Sequence, residues 1–204
     1  MKNTLTHLII AGLMGLAGIA INTTAANASD RTLNTVIADL ASGGNIILMR
    51  HANSPTRQSS SIGMTEGCEL QEGRGLDAEG FFQARFIGGF FNENSVPVSA
   101  GFTSNMCRTW DTARLVAGAT PIMASDALKS TDVTLISNFK QILRATLQSN
   151  PRGNILLVTH SNIVPLFADW ESETEIPSGV ILIVDPETWT VKETLNLDID
   201  LSVE

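Results

Sequence analysis

Two segments far apart in this chain are written to one plan. Asn45-Ile46-Ile47-Leu48-Met49-Arg50-His51 and Asn154-Ile155-Leu156-Leu157-Val158-Thr159-His160 each open on asparagine, pass through four apolar residues and end on histidine. A short, uninterrupted apolar run of this kind reads as a strand buried on both faces, as in a sheet covered by helices on each side. In such sheets ligands bind in the crevice beyond the carboxyl ends of parallel strands. If the two strands are neighbours, His51 and His160 meet in that crevice.

The rest of the chain supplies the helices. Leu33, Val36, Ile37 and Leu40 fall at helical spacing before the stop at Gly43-Gly44. Asp77 is placed to cap a helix carrying Phe81, Phe82, Phe86, Phe90 and Phe91, a stripe that reads as core, with Pro97 beyond its end. A strand near Val98 to Thr103 leads through Ser104-Asn105-Met106-Cys107-Arg108 into a helical stretch, Thr109 to Ala117, so Arg108 sits where a strand turns into a helix. A short strand at Ile122 and Met123 precedes a longer helix with Val133, Ile136, Phe139, Leu143 and Leu147 on its apolar face, ended by Pro151. Val180 to Val184 and Thr190 to Leu197 flank a turn at Asp185-Pro186-Glu187 and read as an antiparallel hairpin. The expected fold is an α/β three-layer sandwich, with a mostly parallel central sheet, helices on both faces and a C-terminal antiparallel hairpin. Asn53 to Arg74 is polar, rich in Ser and Gly and irregular, a candidate active-site loop.

The N-terminus has the pattern of a secretory signal. Lys2 provides the positive start, Leu8 to Ile21 the apolar core and Ala26-Asn27-Ala28 the small-residue cleavage site. The reading divides the chain into a signal peptide, 1–28, and one domain, 29–204, exported to a periplasm or secreted; the alternative is a retained N-terminal anchor. Cleavage leaves 12 basic against 21 acidic residues, a net charge of −9. No basic stripe exists to track a nucleic-acid backbone, so nucleic-acid partners are not expected, and no membrane contact is expected after cleavage. The two cysteines, Cys68 and Cys107, read as a disulfide in an oxidising compartment, the alternative being two buried thiols. Closing a loop of roughly 40 residues would contribute about 4 kcal/mol in the chain-entropy account. The Cys and His residues have no close-spaced ligand pairing, so neither a metal site nor a cofactor is expected.

With the matched histidines on the page, a family resemblance follows. Leu48-Met49-Arg50-His51-Ala52 resembles the Arg-His-Gly signature of the histidine phosphatase (phosphoglycerate mutase-like) superfamily, with Ala in the third place. Ser104 to Ala113 is similar to that superfamily's second, arginine-bearing segment, Val158-Thr159-His160-Ser161 to its late histidine motif, and Leu76-Asp77-Ala78-Glu79-Gly80 to its Leu-x-x-x-Gly helix opening. The resemblance spans residues 45 to 185 and suggests an exported branch. It implies that His51 is a nucleophile forming a phosphohistidine, and that Arg50, Arg108 and His160 bind the phosphoryl group. Chemistry agrees: a neutral imidazole is a good nucleophile near pH 7, and a transferring phosphoryl group spreads charge that preplaced cations stabilise. Without that setting, Arg108 would read as a surface ion pair with Asp111 or Asp77. Asn53, Ser54, Arg57, Ser161 and Asn162 are lesser candidates for contacts to phosphate or leaving group.

The general acid departs from the family pattern. Relatives place a Glu where this chain has Leu128-Lys129-Ser130, or a Gly-Glu pair where it has Gly179-Val180. Glu175 is the first substitute, before Glu173, Asp126, Asp132 and Glu66. The leading expectation is a metal-independent phosphatase acting on a small phosphorylated substrate, or on a phosphorylated glycan or protein, as phosphomonoester or phosphoramidate. The alternatives are a weakly active or inactive phospho-ligand-binding protein on the same fold, and a phosphate mutase.

Overall fold

Strand β2 (Ile46–Arg50) and strand β5 (Asn154–Thr159) lie side by side and parallel, Ile46 opposite Ile155 and Arg50 opposite Thr159. The computed structural model describes residues 20–22, 32–54, 74–170 and 175–198. At the start of the pair the two asparagines fix the register: Asn154 Oδ1 accepts from the Asn45 backbone N–H at 3.1 Å, and Asn154 Nδ2 donates to the carbonyls of Leu40 and Pro97. Both amides are buried, and these bonds satisfy polar groups that would otherwise oppose burial.

Among the described residues the sheet has seven strands, in the order β1 (Ala20–Asn22), β7 (Val191–Asp198), β6 (Ile181–Val184), β2, β5, β3 (Val98–Thr103) and β4 (Ile122–Ala124). β3 and β4 continue the parallel block, whereas β6, β7 and β1 complete the other side in antiparallel pairings. The C-terminal hairpin is therefore seated directly against β2. Asp185 fixes its turn, accepting from the backbone N–H groups of Glu187 and Thr188.

Side chains alternate across these strands and build two cores. Ile47, Met49, Leu156, Val158, Ile181 and Ile183 face helices α1 (Leu33–Ser42), α2 (Ala78–Glu93) and α3 (Cys107–Ala117). Ile46, Leu48, Ile155, Leu157, Leu182 and Val184 face α4 (Val133–Ser149) and the short α5 (Val164–Phe167). The three-layer architecture matches the expectation, with two corrections to the helix faces. Phe82 is 47 % exposed and Val133 is 76 % exposed, so neither is core. Phe82 lies off the face formed by Ala84, Ile87 and Phe91, and Val133 is the first residue of α4, before its buried face begins at Ile136.

Two caps aim the helices. Asp77 accepts from the Gly80 N–H at 2.8 Å, and Asp132 accepts from Thr134 and Leu135 at 2.8 and 3.2 Å. Gly80 is needed for a second reason: a Cβ there would stand 2.0 Å from the carbonyl oxygen of Asn53, so only glycine lets α2 close on the loop after His51.

Candidate active site

Because β2 and β5 are parallel and in register, their last residues deliver both histidines to one place. The His51 backbone N–H donates to the Thr159 carbonyl at 3.0 Å, and the two rings stand edge to face with centroids 5.6 Å apart. α3 begins beside them, and Arg108 in its first turn reaches between the rings. Its Nε donates to His51 Nε2 at 3.1 Å, and its Nη2 donates to His160 Nδ1 at 3.2 Å. Arg108 is thus not the surface ion pair: Asp111 pairs with Arg114 at 3.1 Å, and Asp77 caps α2.

The geometry fixes the state of His51. Arg108 can only donate, so Nε2 carries a lone pair, while Nδ1–H donates to the Ala52 carbonyl at 2.8 Å. The Ala52 backbone is itself held by Thr112, whose Oγ1 accepts from the Ala52 N–H at 3.0 Å and donates to the Arg108 carbonyl. Burial, reinforced by the charges of Arg108 and Arg50, pushes the His51 ring down to about 3, against the opposing bond to Ala52. Burial and the Arg108, Arg74 and Arg50 guanidiniums likewise lower His160 to about 4. Both rings are neutral near pH 7, and the Nε2 lone pair of His51, which accepts from Arg108, is the ring's nucleophilic position. Arg108 is lowered to about 10, again mainly by burial, and stays cationic.

These residues open onto a cavity of about 410 Å³ whose walls are polar or charged side chains. Arg50 reaches it from the end of β2, donating to the Ile176 carbonyl and pairing with Glu175 at 3.1 Å. Its buried Nε meets no acceptor among the described residues. Asn53, Ser54, Ser161 and Asn162 line the same cavity; Arg57 lies outside the described residues. Of the acidic candidates, Glu175 lines the cavity and accepts from Ser161 Oγ at 2.7 Å. Asp126 pairs with Lys129 and Asp132 caps α4, which leaves both in other roles; Glu66 and Glu173 lie outside the described residues. Ser130 accepts from the Asp132 N–H, and Val180 is buried.

The model of the histidine phosphatase superfamily (branch 1) matches residues 46–137, which hold Arg50, His51 and Arg108. Over that stretch the chain is similar to the histidine phosphatase superfamily. The fold is similar to the solved structure of the protein histidine phosphatase SixA complexed with tungstate: 17 % identity, 74 % of this chain and 94 % of that chain covered, TM-score 0.51. It is similar also to a protein of Agrobacterium tumefaciens described as a SixA phosphohistidine phosphatase: 16 % identity, 75 % and 97 % covered, TM-score 0.52. No curated protein matches it by sequence.

Several residues that build this site carry no signal in the sequence pattern. Gln83 on α2 ties two loops together, its Oε1 accepting from the Asn53 N–H at 3.0 Å and its Nε2 donating to the Ser178 carbonyl at 2.9 Å. Gly179 stands at φ +75°, a conformation that favours glycine, and a Cβ there would also press on the Gln83 amide at 2.4 Å. Its N–H donates to the His51 carbonyl at 3.2 Å, which docks the 177–179 turn on the end of β2. Arg74 lines the cavity as a further cation, with its Nε donating to Ser54 Oγ at 3.0 Å. The earlier expectation of a Cys68–Cys107 bridge involves Cys68, which lies outside the described residues; Cys107 is buried in the first turn of α3. Among the described residues no group of His, Cys, Asp and Glu is arranged to hold a metal ion, and no helix is long and apolar enough to cross a membrane.

Proposed function

We propose that this protein is an exported, metal-independent phosphatase that hydrolyses a phosphomonoester or phosphoramidate through a phosphohistidine on His51. The observation that carries the reading is the fixed tautomer of His51: Nδ1–H is held by Ala52, so Nε2 can act only as an acceptor or nucleophile. Arg50, Arg108 and His160 are the groups that stabilise the transferring phosphoryl group, and the unmatched Nε of Arg50 is a donor suited to one of its oxygens. An incoming phosphoryl group draws the Arg108 guanidinium onto its oxygens and so frees the His51 lone pair for in-line attack. Water then displaces the phosphoryl group from His51 in a second step. Glu175 is the candidate to protonate a poor leaving group, since it lines the cavity beside Arg50.

The all-polar wall favours a small or peptide-borne phosphorylated group over an apolar one. Export rests on residues 1–28 as a cleaved signal, and the Cys68–Cys107 bridge belongs to the same reading. Intact mass after alkylation without reductant is expected to find no modified cysteine; two labelled thiols would refute the bridge. The test of function is hydrolysis of p-nitrophenyl phosphate and of a phosphohistidine peptide in excess EDTA. Turnover of either substrate supports the phosphatase. Binding of phosphate without turnover of any ester or phosphohistidine would favour the phospho-ligand-binding alternative, for which Ser130 and Val180 at the usual acid positions speak.

A further inference from the structure

The hydrogen bonds behind His160 can be followed proton by proton. A guanidinium only donates, so the 3.2 Å contact from Arg108 Nη2 makes His160 Nδ1 an acceptor. The neutral ring then carries its proton on Nε2, and Ser104 Oγ, 3.0 Å away, accepts it. The Met106 N–H donates to the same oxygen at 3.4 Å. With both its lone pairs engaged, Ser104 gives its own proton to Thr109 Oγ1 at 2.7 Å, and Thr109 passes its proton to the Met106 carbonyl at 2.8 Å. Ser104 and Thr109 are fully buried, so no solvent competes for these bonds. Every donor in the chain has an acceptor, Thr109 Oγ1 standing also 3.1 Å from the Ser104 carbonyl, and the direction is set at one end by an arginine that only donates.

We propose that Ser104 and Thr109 are positioning residues that hold His160 as its Nε2–H tautomer, so that the pocket-facing Nδ1 gains one proton when a phosphoryl group binds. The proposal rests on the phosphoryl-site reading above. Once an anion draws Arg108 away, Nδ1 faces an oxygen that also offers only lone pairs. One proton, from solvent or from a phosphate monoanion, then bonds to Nδ1, while the Nε2–H bond to Ser104 is kept. The ring passes from neutral to cationic and donates to the phosphoryl oxygen. The other charged and titratable groups around it are Arg108 on α3, Arg50 and His51 at the end of β2, Arg74 on the loop before α2, and Glu175. The guanidiniums oppose protonation of the ring, and a bound dianion offsets them.

The tautomer is read directly from the ring-nitrogen NMR of ¹⁵N-labelled protein, with His160 assigned by a His51→Ala comparison. The free protein is expected to give the Nε2–H pattern. Thr109→Val keeps the branched shape but removes the acceptor of the Ser104 proton; Ser104 then competes with Arg108 for the ring, donating to Nε2, and where it wins the Arg108 contact to Nδ1 is released and the Nδ1–H form gains population. Ser104→Ala releases the lock and is expected to give a mixture. An Nδ1–H ring in the unaltered protein, or an unchanged Nε2–H ring in Thr109→Val, overturns the assignment. Proton uptake is measured by titrating tungstate, a dianion, into the protein in buffers of different ionisation enthalpy. About one proton is expected for the unaltered protein and a smaller uptake for Thr109→Val. Tungstate binding without uptake in the unaltered protein overturns the coupling. Failure of tungstate to bind overturns the phosphoryl-site reading and the uptake with it, whereas the tautomer result stands by itself.

Discussion

The Arg108 Nε donates a hydrogen bond to His51 Nε2 across 3.1 Å, so the proposed clamp and the proposed nucleophile engage each other directly. The same guanidinium reaches His160 at 3.2 Å, and it can serve both rings only because it is planar and forked. Lysine keeps the charge but not the fork. Arg108→Lys is therefore expected to lower kcat on the order of 10²- to 10³-fold, the scale of losing one preorganised donor, with a rise in KM. Steady-state kinetics on p-nitrophenyl phosphate checks this; near-native kcat would mean that charge alone suffices.

The neutral rings have a consequence for stability. His51 and His160 sit at about 3 and about 4 in the folded protein, against 6.5 for a free imidazole. As pH falls, the unfolded chain takes protons that the folded one refuses, so this contribution to stability is complete above pH 6.5 and is lost between there and about pH 4 to 3. The midpoint of thermal unfolding is expected to drop across that window, and less steeply in His160→Gln. A slope identical in the two proteins would refute the assignment for His160.

Glu175 makes a separate prediction, on leaving groups. A general acid matters most where the leaving oxygen is poor, and contributes about 10²- to 10⁴-fold there. Glu175→Gln should therefore slow an alkyl phosphate by at least about 10²-fold and leave p-nitrophenyl phosphate and phosphohistidine turnover within a few-fold. Equal losses on all three substrates would assign Glu175 to holding Arg50 instead.

Much of this site was legible because it lies on regular elements. The runs Ile46 to Met49 and Ile155 to Val158 are apolar on both faces, and a parallel pairing carries whatever follows them to one edge; hence His51 and His160 meet. Arg108 was legible at the strand-to-helix junction for the same reason. The pairing of β6 with β2 was not: periodicity marks a hairpin but not the strand it docks against. Gln83, Thr112, Ser104 and Thr109 were silent too, because their roles are side-chain bonds between elements, and a buried hydroxyl has the same sequence signature as any other Ser or Thr. Phe82 and Val133 misled because an aromatic or branched residue near a helical stripe need not lie on its buried face.

The central claim is that His51 Nε2 attacks phosphorus. Acid-free quenching of the enzyme during turnover of labelled phosphoester, followed by peptide mapping under alkaline conditions, should recover a base-stable, acid-labile phosphoryl group on the peptide that contains His51. His51→Ala should abolish adduct and hydrolysis together, whereas His160→Ala should keep the adduct site and lose rate on the order of 10²- to 10³-fold. An adduct on His160 in the unaltered protein, or substantial hydrolysis by His51→Ala, would contradict the account.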